Sequence, residues 1–321
     1  EVGGIKLHAS IDCRISGNHI HNCDRGLWMD WQAQGTRISG NLLYDNDTED
    51  LFVEVSHGPY LVDNNLFLST KNLRDMSQGG AYVHNLFAGF FTWKRVTNRF
   101  TPYHYNHDTA VHGLMTILGG DDRFYNNIFT GTLPDNALKE QKIEEGTWAG
   151  SDLRRNADGS IPKGLSIYDE CPAEGEAVPG RRMQVDEYAE ERLPMACGSN
   201  LYLNDARPYR KESGSLACPE VKPRVEVITE ADGVYLLCDL GGRAGAVETV
   251  AVTPEESRNL ILTIDSRIQY LAEQRLKEAV RDKGAKGGYA IVMDPRTGEI
   301  LALANEMSFD PNNFGKFRSE E

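Results

Sequence analysis

The feature that most constrains how this chain can fold is a repeat that fills its first 131 residues. Five segments resemble one another: CRISGNHIHN (13–22), TRISGNLLYDN (36–46), YLVDNNLFLS (60–69), AYVHNLFAG (81–89) and RFYNNIFTG (123–131). Each places an Asn after a short apolar run and follows it with a second apolar alternation. With Asn18, Asn41, Asn65, Asn85 and Asn127 as markers, the spacings are 23, 24, 20 and 42, the last close to two periods. Periods of this size belong to solenoids. The segments are short, rich in β-branched and aromatic residues and without helical spacing, so the unit is built of strands. A right-handed parallel β-helix satisfies the pattern. The Asn residues are expected at left-handed corners, with each amide bonding the neighbouring coil. The alternative, a β-sandwich with regular turns, does not ask an Asn to recur so evenly.

Two carboxylates fall one period apart. Asp30 lies 12 residues past Asn18 in GLWMDWQAQGT (26–36), and Glu54 lies 13 past Asn41 in EDLFVEVSHGPY (49–60). Matching positions in adjacent parallel coils stack about 4.8 Å apart, so the two side chains are expected side by side, within a one-residue offset. Retaining glycosidases hold two carboxyls about 5–5.5 Å apart, one as nucleophile and one as acid/base. Neighbouring carboxylates also raise one another's proton affinity, which suits an acid that must carry a proton near neutrality. Acids embedded in apolar stretches such as LWMDW and LFVEV are seldom idle. The alternative is a solvated pair on the outer face. Trp28 and Trp31 flank Asp30 and offer an indole for a sugar face, although one of the two is expected to pack as core. Gln34 follows in the same segment, and His57 sits in a tight SHGP turn where it could bond a sugar hydroxyl.

The run RGLWMDWQAQGTRISGNLLYDN followed by DLFVEVSHGPYLVDNNLFLS resembles glycoside hydrolase family 120, the β-helix β-xylosidases, over about residues 1–235. The resemblance implies an Asp nucleophile at Asp30 and a Glu acid/base at Glu54, about one coil later. It also implies a xylo-oligosaccharide or other small β-glycoside as substrate and binding roles for Trp28, Trp31, His57 and Gln34. The family's N-terminal coils and its β-sandwich material have no counterpart here.

Weaker candidates surround this pair. His19 and His21 alternate on a strand and share one face, a pattern more often structural than metal-ligating. His104, His107, Asp108 and His112 form a denser cluster that reads as a substrate-facing loop rather than a metal site. Residues 132–185 are charged and rich in Gly and Pro, and read as a long surface excursion. The Ser160–Lys163 tetrad matches S-x-x-K only formally, because its Pro and loop setting speak against a nucleophile on a helix. Between 198 and 239 further strands are expected, with a turn at 231–233.

From about Gly241 the pattern changes. NLILTIDSRIQYLAEQRLKEAVRDKGAKGGYAIVMDPRTGEILALAN reads as strand, helix, strand, turn, strand. Ile268, Leu271, Ala272, Leu276, Ala279 and Val280 recur at helical spacing, Ser266 with Gln269 makes a capping box, and Pro295 and Gly298 mark a hairpin turn. This segment resembles the start of the transpeptidase domain of class B penicillin-binding proteins. Their acylated Ser stands in S-x-x-K, with S-x-N and K-[ST]-G later, and 241–321 contains none of the nucleophile motif. The expected organisation is a β-helix domain over 1–240 and an incomplete transpeptidase-like segment over 241–321. The fold class is mainly β: a right-handed parallel β-helix followed by a truncated α+β segment. Glu1 and Glu321 both read as cut ends.

Charge narrows the partners. With 48 acidic against 34 basic residues the net charge is −14, and such a chain repels phosphate backbones, so no nucleic-acid partner is expected. No apolar run approaches the roughly 18 residues of a membrane span, so no membrane contact is expected. Six widely spaced Cys with no C-x-x-C favour reduced thiols and a cytoplasmic setting, against a cell-envelope one if the C-terminal segment dominates. No cofactor and no metal are called for, and self-association into a homo-oligomer stays open. Two other readings compete with the glycosidase. One is a β-helix polysaccharide lyase using Ca²⁺. The other is a chimeric gene product ending in a transpeptidase fragment without its nucleophile.

Overall fold

The computed structural model describes residues 3–131, 152–156, 158–176, 191–230, 233–239, 248–252, 266–285, 288–293 and 300–306. The chain divides into two compact units, Glu1–Thr253 and Pro254–Glu321. The first is a parallel β-helix. Strands β1 (Gly3–His8), β2 (Arg25–Asp30), β3 (Glu49–Asp63) and β4 (Lys71–Val83) stack in order, each parallel to the next. A second parallel sheet runs through His19–His21, Leu42–Tyr44, Leu66–Phe67, Leu86–Phe87, Ile128–Phe129, Leu201–Leu203 and Leu216–Cys218. A coil of this length cannot bury its apolar face alone, so each one depends on its neighbours.

The marker asparagines form a continuous internal ladder. Asn65 Nδ2 and its backbone N–H both donate to Asn85 Oδ1 at 3.0 Å, and Asn41, Asn85 and Asn127 repeat the arrangement toward Asn65, Asn127 and Asn200. Asn41, Asn65, Asn85, Asn127 and Asn200 are buried. The left-handed corner does not fall on these residues as expected. It falls one position earlier, at Gly17, Gly40, Asn64, His84, Asn126 and Ser199, with φ between 56° and 66°. The amide must point into the coil to reach its neighbour, and the preceding residue makes the bend that aims it.

The 42-residue spacing is one coil, not two. Asn85 bonds Asn127 directly, and Ala81 on β4 pairs with Arg123 on the strand that follows the insertion. The extra length is β5 (Phe90–Trp93), which pairs with the start of β4, and an antiparallel hairpin of β6 (Val96–His104) and β7 (Val111–Ile117). The coil resumes at β8 (Arg123–Tyr125), beside β9 (Ala196–Gly198).

Inside the coils, identical positions stack. Phe67, Phe87, Phe129 and Tyr202 form a ring column with centroid separations of 5.0, 5.3 and 4.9 Å, each ring contributing about 1.5–3 kcal/mol by burial. The expected surface excursion is exposed over 158–160 and 174–176 but turns into the core between them. Leu165, Tyr168 and Cys171 are fully buried, and the Tyr168 ring lies 5.6 Å from both Trp93 and Phe124. The short apolar run LSIY is diluted by polar neighbours in sequence, yet it suffices to fill this part of the core. The remainder of 132–185 lies outside the described residues.

Strands β10 (Arg224–Glu230), β11 (Gly233–Asp239) and β12 (Glu248–Val252) make a separate antiparallel sheet. In the second unit, helix α1 (Ser266–Lys283) precedes an antiparallel pair, β13 (Gly288–Met293) and β14 (Ile300–Glu306). Ile268, Ala272, Leu276 and Val280 are half-buried at four-residue spacing, whereas Leu271 is exposed. Gly288 lets the strand pass close beneath Leu276 and Val280. The strand expected at NLILTID, the Ser266 side chain and the PRTG turn lie outside the described residues. No described helix is long and apolar enough to cross a membrane. Five cysteines (Cys13, Cys23, Cys171, Cys197 and Cys218) are free thiols.

Candidate functional site

Two rows of side chains emerge on the outer face of the sheet formed by β1 to β4, because strand residues alternate sides and coils stack in register. One row is Lys6, Trp28, Phe52 and Arg74; the other is His8, Asp30, Glu54 and Met76. Asp30 and Glu54 are register partners. Their unequal distances from the markers are absorbed upstream. Tyr44 pairs with His21, 23 residues apart, whereas Glu49 pairs with Arg25, 24 apart. One extra residue in the turn between Tyr44 and Glu49 therefore brings the two carboxylates level.

The two acids have different surroundings. Asp30 Oδ2 meets Lys6 Nζ at 3.0 Å and His8 Nδ1 at 3.1 Å. Glu54 Oε2 accepts a hydrogen bond from Trp28 Nε1 at 3.0 Å, and its Oε1 lies 3.6 Å from Arg99 Nη2. Burial, and next the charge of Asp30, push the Glu54 carboxyl above its ordinary value against the lowering effects of Trp28, Arg99 and Arg74. Two carboxyls on one face thus have distinct roles available to them.

A hairpin overhangs the pair. Gln34 clasps it by accepting the His104 N–H at 2.7 Å and donating to the His104 carbonyl at 3.4 Å. Thr101 donates to the Met115 carbonyl, so its Oγ1 accepts from His57 Nε2 at 2.8 Å, while His57 Nδ1 accepts from Gln78 Nε2 at 3.2 Å. Both ring nitrogens of His57 are therefore committed within the protein, and burial pushes its imidazole below its ordinary value. A hydroxyl-binding role for that ring, expected from the SHGP turn, finds no free nitrogen. The turn itself is part of a long strand broken by bulges on either side of His57. Next to Glu54, Val55 adopts φ 45°. A β-branched residue there stores strain of order 1–3 kcal/mol, and its side chain is held in an apolar cluster with Trp28, Phe52, Met76, Val96 and Ile117.

Of the tryptophans, Trp28 is buried, stacked 5.7 Å from Phe52 and capped by Lys6 Nζ at 3.4 Å. Trp31 is half-buried, with His8 and Arg99 against its ring. Beneath the hairpin, His57, Pro59, Tyr60, Gln78, Tyr103 and Arg123 line a cavity of about 460 Å³. The other candidates disperse. His104 Nδ1 bonds the Thr109 carbonyl, His107 pairs with Asp12 and His112 stacks on Tyr103. His19, His21 and Tyr44 form an aromatic cluster with centroids 4.7–5.0 Å apart. Among the described residues, no group of three or more His, Cys, Asp or Glu is placed to hold a metal ion. Ser160 bonds Asp158 in an exposed loop. The repeat pattern does not single out Lys6, His8 or Arg99, which complete the site. GGIKLH lies one coil before Asp30 and aligns with it on the same period, but nothing local marks Arg99.

Comparison with known proteins adds four likenesses. The family described as periplasmic copper-binding protein (NosD) matches residues 1–87. A solved structure described as the complex of XylC with xylose is 42% identical with a TM-score of 0.60, covering 74% of this chain and 34% of that one. The peptidoglycan D,D-transpeptidase PenA of Neisseria gonorrhoeae (a probable assignment) is 48% identical over 68 residues, 21% of this chain and 12% of the relative. PbpC of Pseudomonas aeruginosa is 40% identical over 88 residues, 27% of this chain and 15% of the relative. The chain thus spans about a third of the XylC structure and about an eighth of the transpeptidases. It is similar in its larger part to a β-helix protein solved with a sugar, and in a shorter stretch to peptidoglycan transpeptidases.

Proposed function

We propose that the β-helix is a retaining glycoside hydrolase unit that cleaves β-xylosidic bonds by double displacement, with Asp30 as nucleophile and Glu54 as acid/base. The observation that carries this reading is the register pairing of Asp30 with Glu54 in unequal surroundings. The stacking distance of parallel strands is close to the carboxyl separation of retaining enzymes. Asp30 attacks the anomeric carbon while Glu54 delivers its proton to the leaving oxygen. Capture of Asp30 as a glycosyl ester removes the negative charge that helps hold the proton on Glu54. Glu54 then becomes the stronger acid, ionised in time to take a proton from the attacking water. Xylose as the sugar is supported by the likeness to XylC and by the resemblance to family 120. Trp31, the less buried of the two indoles, is the stacking surface in this reading, and Gln34 and His57 act by holding the hairpin.

The test is hydrolysis of an aryl β-xyloside followed by NMR of the first sugar released. The expected product is the β-anomer, with activity abolished in Asp30→Ala. Full activity in that variant, or release of the α-anomer, would sink the assignment.

A second reading attaches to the second unit, on the strength of the likeness to PenA: it is the opening segment of a transpeptidase domain. No S-x-x-K stands in 241–321, so a labelled β-lactam is expected to leave this chain unacylated. Covalent labelling would overturn that.

A further inference from the structure

The hairpin brings to the carboxylate pair a cation, Arg99, two of whose donor atoms lack hydrogen-bond acceptors. Arg99 Nη2 lies 3.6 Å from Glu54 Oε1, too far for a hydrogen bond. Its guanidinium carbon lies 5.0 Å from the Trp31 ring centroid, so the indole supports it. The Arg99 side chain is 41% exposed, yet its Nε and Nη2 are screened from solvent and have no hydrogen-bond partner. The neighbouring cations are committed: Lys6 and His8 to Asp30, and Arg74 to Asp152. Once Glu54 carries the proton it must donate, Arg99 also loses the nearby negative charge. Unsatisfied donors on a charged group are costly, and the partly exposed side chain can turn its guanidinium edge toward a carboxylate, which it matches with two parallel hydrogen bonds.

We propose that Arg99 is a specificity-determining residue that receives a carboxylate on the leaving-group side of the scissile bond, so the preferred substrates are acidic β-glycosides bearing a uronic acid there. The placement follows from chemistry, since the acid/base stands at the leaving oxygen and Arg99 stands beside Glu54 rather than Asp30. The proposal rests on the hydrolase reading and sharpens its substrate class.

The experiment compares a carboxyphenyl β-xyloside with its neutral carboxamide counterpart on the full chain. The expected result is about tenfold higher kcat/KM for the carboxylate, carried by KM, as for one added charge-assisted contact. Arg99→Gln brings that ratio to about one, Arg99→Lys keeps part of it, and added salt shrinks it. A wild-type ratio of one, or a preference that survives Arg99→Gln, overturns the proposal. If neither compound is cleaved, the hydrolase reading fails by itself. Calorimetry with a glucuronate-bearing and a neutral xylo-oligosaccharide then decides recognition: tighter acidic binding lost in Arg99→Gln supports it, and equal or absent binding overturns it.

Discussion

Trp28 and Glu54 are tied across adjacent coils by a hydrogen bond of 3.0 Å from the indole Nε1 to the carboxylate Oε2. The donor favours the ionised acid, opposing burial and the charge of Asp30, which favour the protonated one. Trp28 is itself fixed by Phe52 on one side and Lys6 on the other. The buried indole therefore serves the site as a brake on the proton affinity of Glu54.

Replacing Trp28 with Phe keeps the ring packed and deletes the donor. Glu54 then holds its proton to higher pH, so the alkaline limb of the kcat/KM profile for an aryl β-xyloside is expected to move upward. A pH–rate series on the two proteins checks this. An unmoved limb, or one displaced to lower pH, would mean that the hydrogen bond does not govern the acid.

Gln34 is the clasp of the overhanging hairpin, and Gln34→Ala leaves the buried His104 N–H without an acceptor. The loss of such a bond costs about 1–3 kcal/mol, and it falls on the element that carries Arg99. Proteolysis within residues 96–117 is expected to quicken, while the coils keep their circular dichroism. Unchanged cleavage would show that His57 and Gln78 hold the hairpin without it.

Much of the site is legible in the sequence because both periods involved are local. The coil length brings Asp30 and Glu54 to within one residue of each other, and the extra residue in the turn between Tyr44 and Glu49 sets them level. The limits have physical causes. The hairpin between β5 and β8 is itself made of strand-like residues, so its length imitates a second coil. The Asn side chain, and not its backbone, is what the ladder requires, so the left-handed bend falls on its neighbour. Arg99 reaches Glu54 only through the hairpin's return over the sheet, a tertiary relationship with no local signature. His57 carries the residue type of a binding group but spends both nitrogens on Thr101 and Gln78.

The ladder predicts a stability cost that depends on position. Asn85 accepts from the Asn65 backbone and side chain and donates to the Val62 carbonyl at 2.9 Å and to Asn127. Asn85→Ala removes these together and strands a buried N–H on Asn65, at about 2–4 kcal/mol. Asn18 stands at the end of the row with its side chain partly exposed, and Asn18→Ala is expected to cost less than half as much. Urea denaturation of the two variants checks the order, and equal midpoints would show that the rungs are not energetically continuous.

Stability should also fall as pH rises through the mildly acidic range. Burial pushes the carboxyls of Asp50 and Asp75 up to about 7. Burial, together with the charge of Asp75, raises Asp122 well above the usual carboxylate range. An unfolded Asp releases its proton near 3.9. Between about 4 and about 7 the native chain therefore holds protons that the unfolded chain has lost, and the linkage makes folding weaker with each step upward. Glu54 and Asp169 act with the same sign. His57 and His19 act oppositely below the ordinary imidazole value, since their lowered rings keep the native state neutral where the unfolded one is charged. Five raised carboxyls, three of them fully buried, outweigh two imidazoles, so the urea midpoint is expected to be higher at pH 5 than at pH 7. Asp75→Asn removes one titrating group from the core while leaving an oxygen for the Tyr168 hydroxyl, which bonds Asp75 at 2.8 Å. The gap between the two pH values should narrow in that variant. An equal or wider gap would place the titration elsewhere.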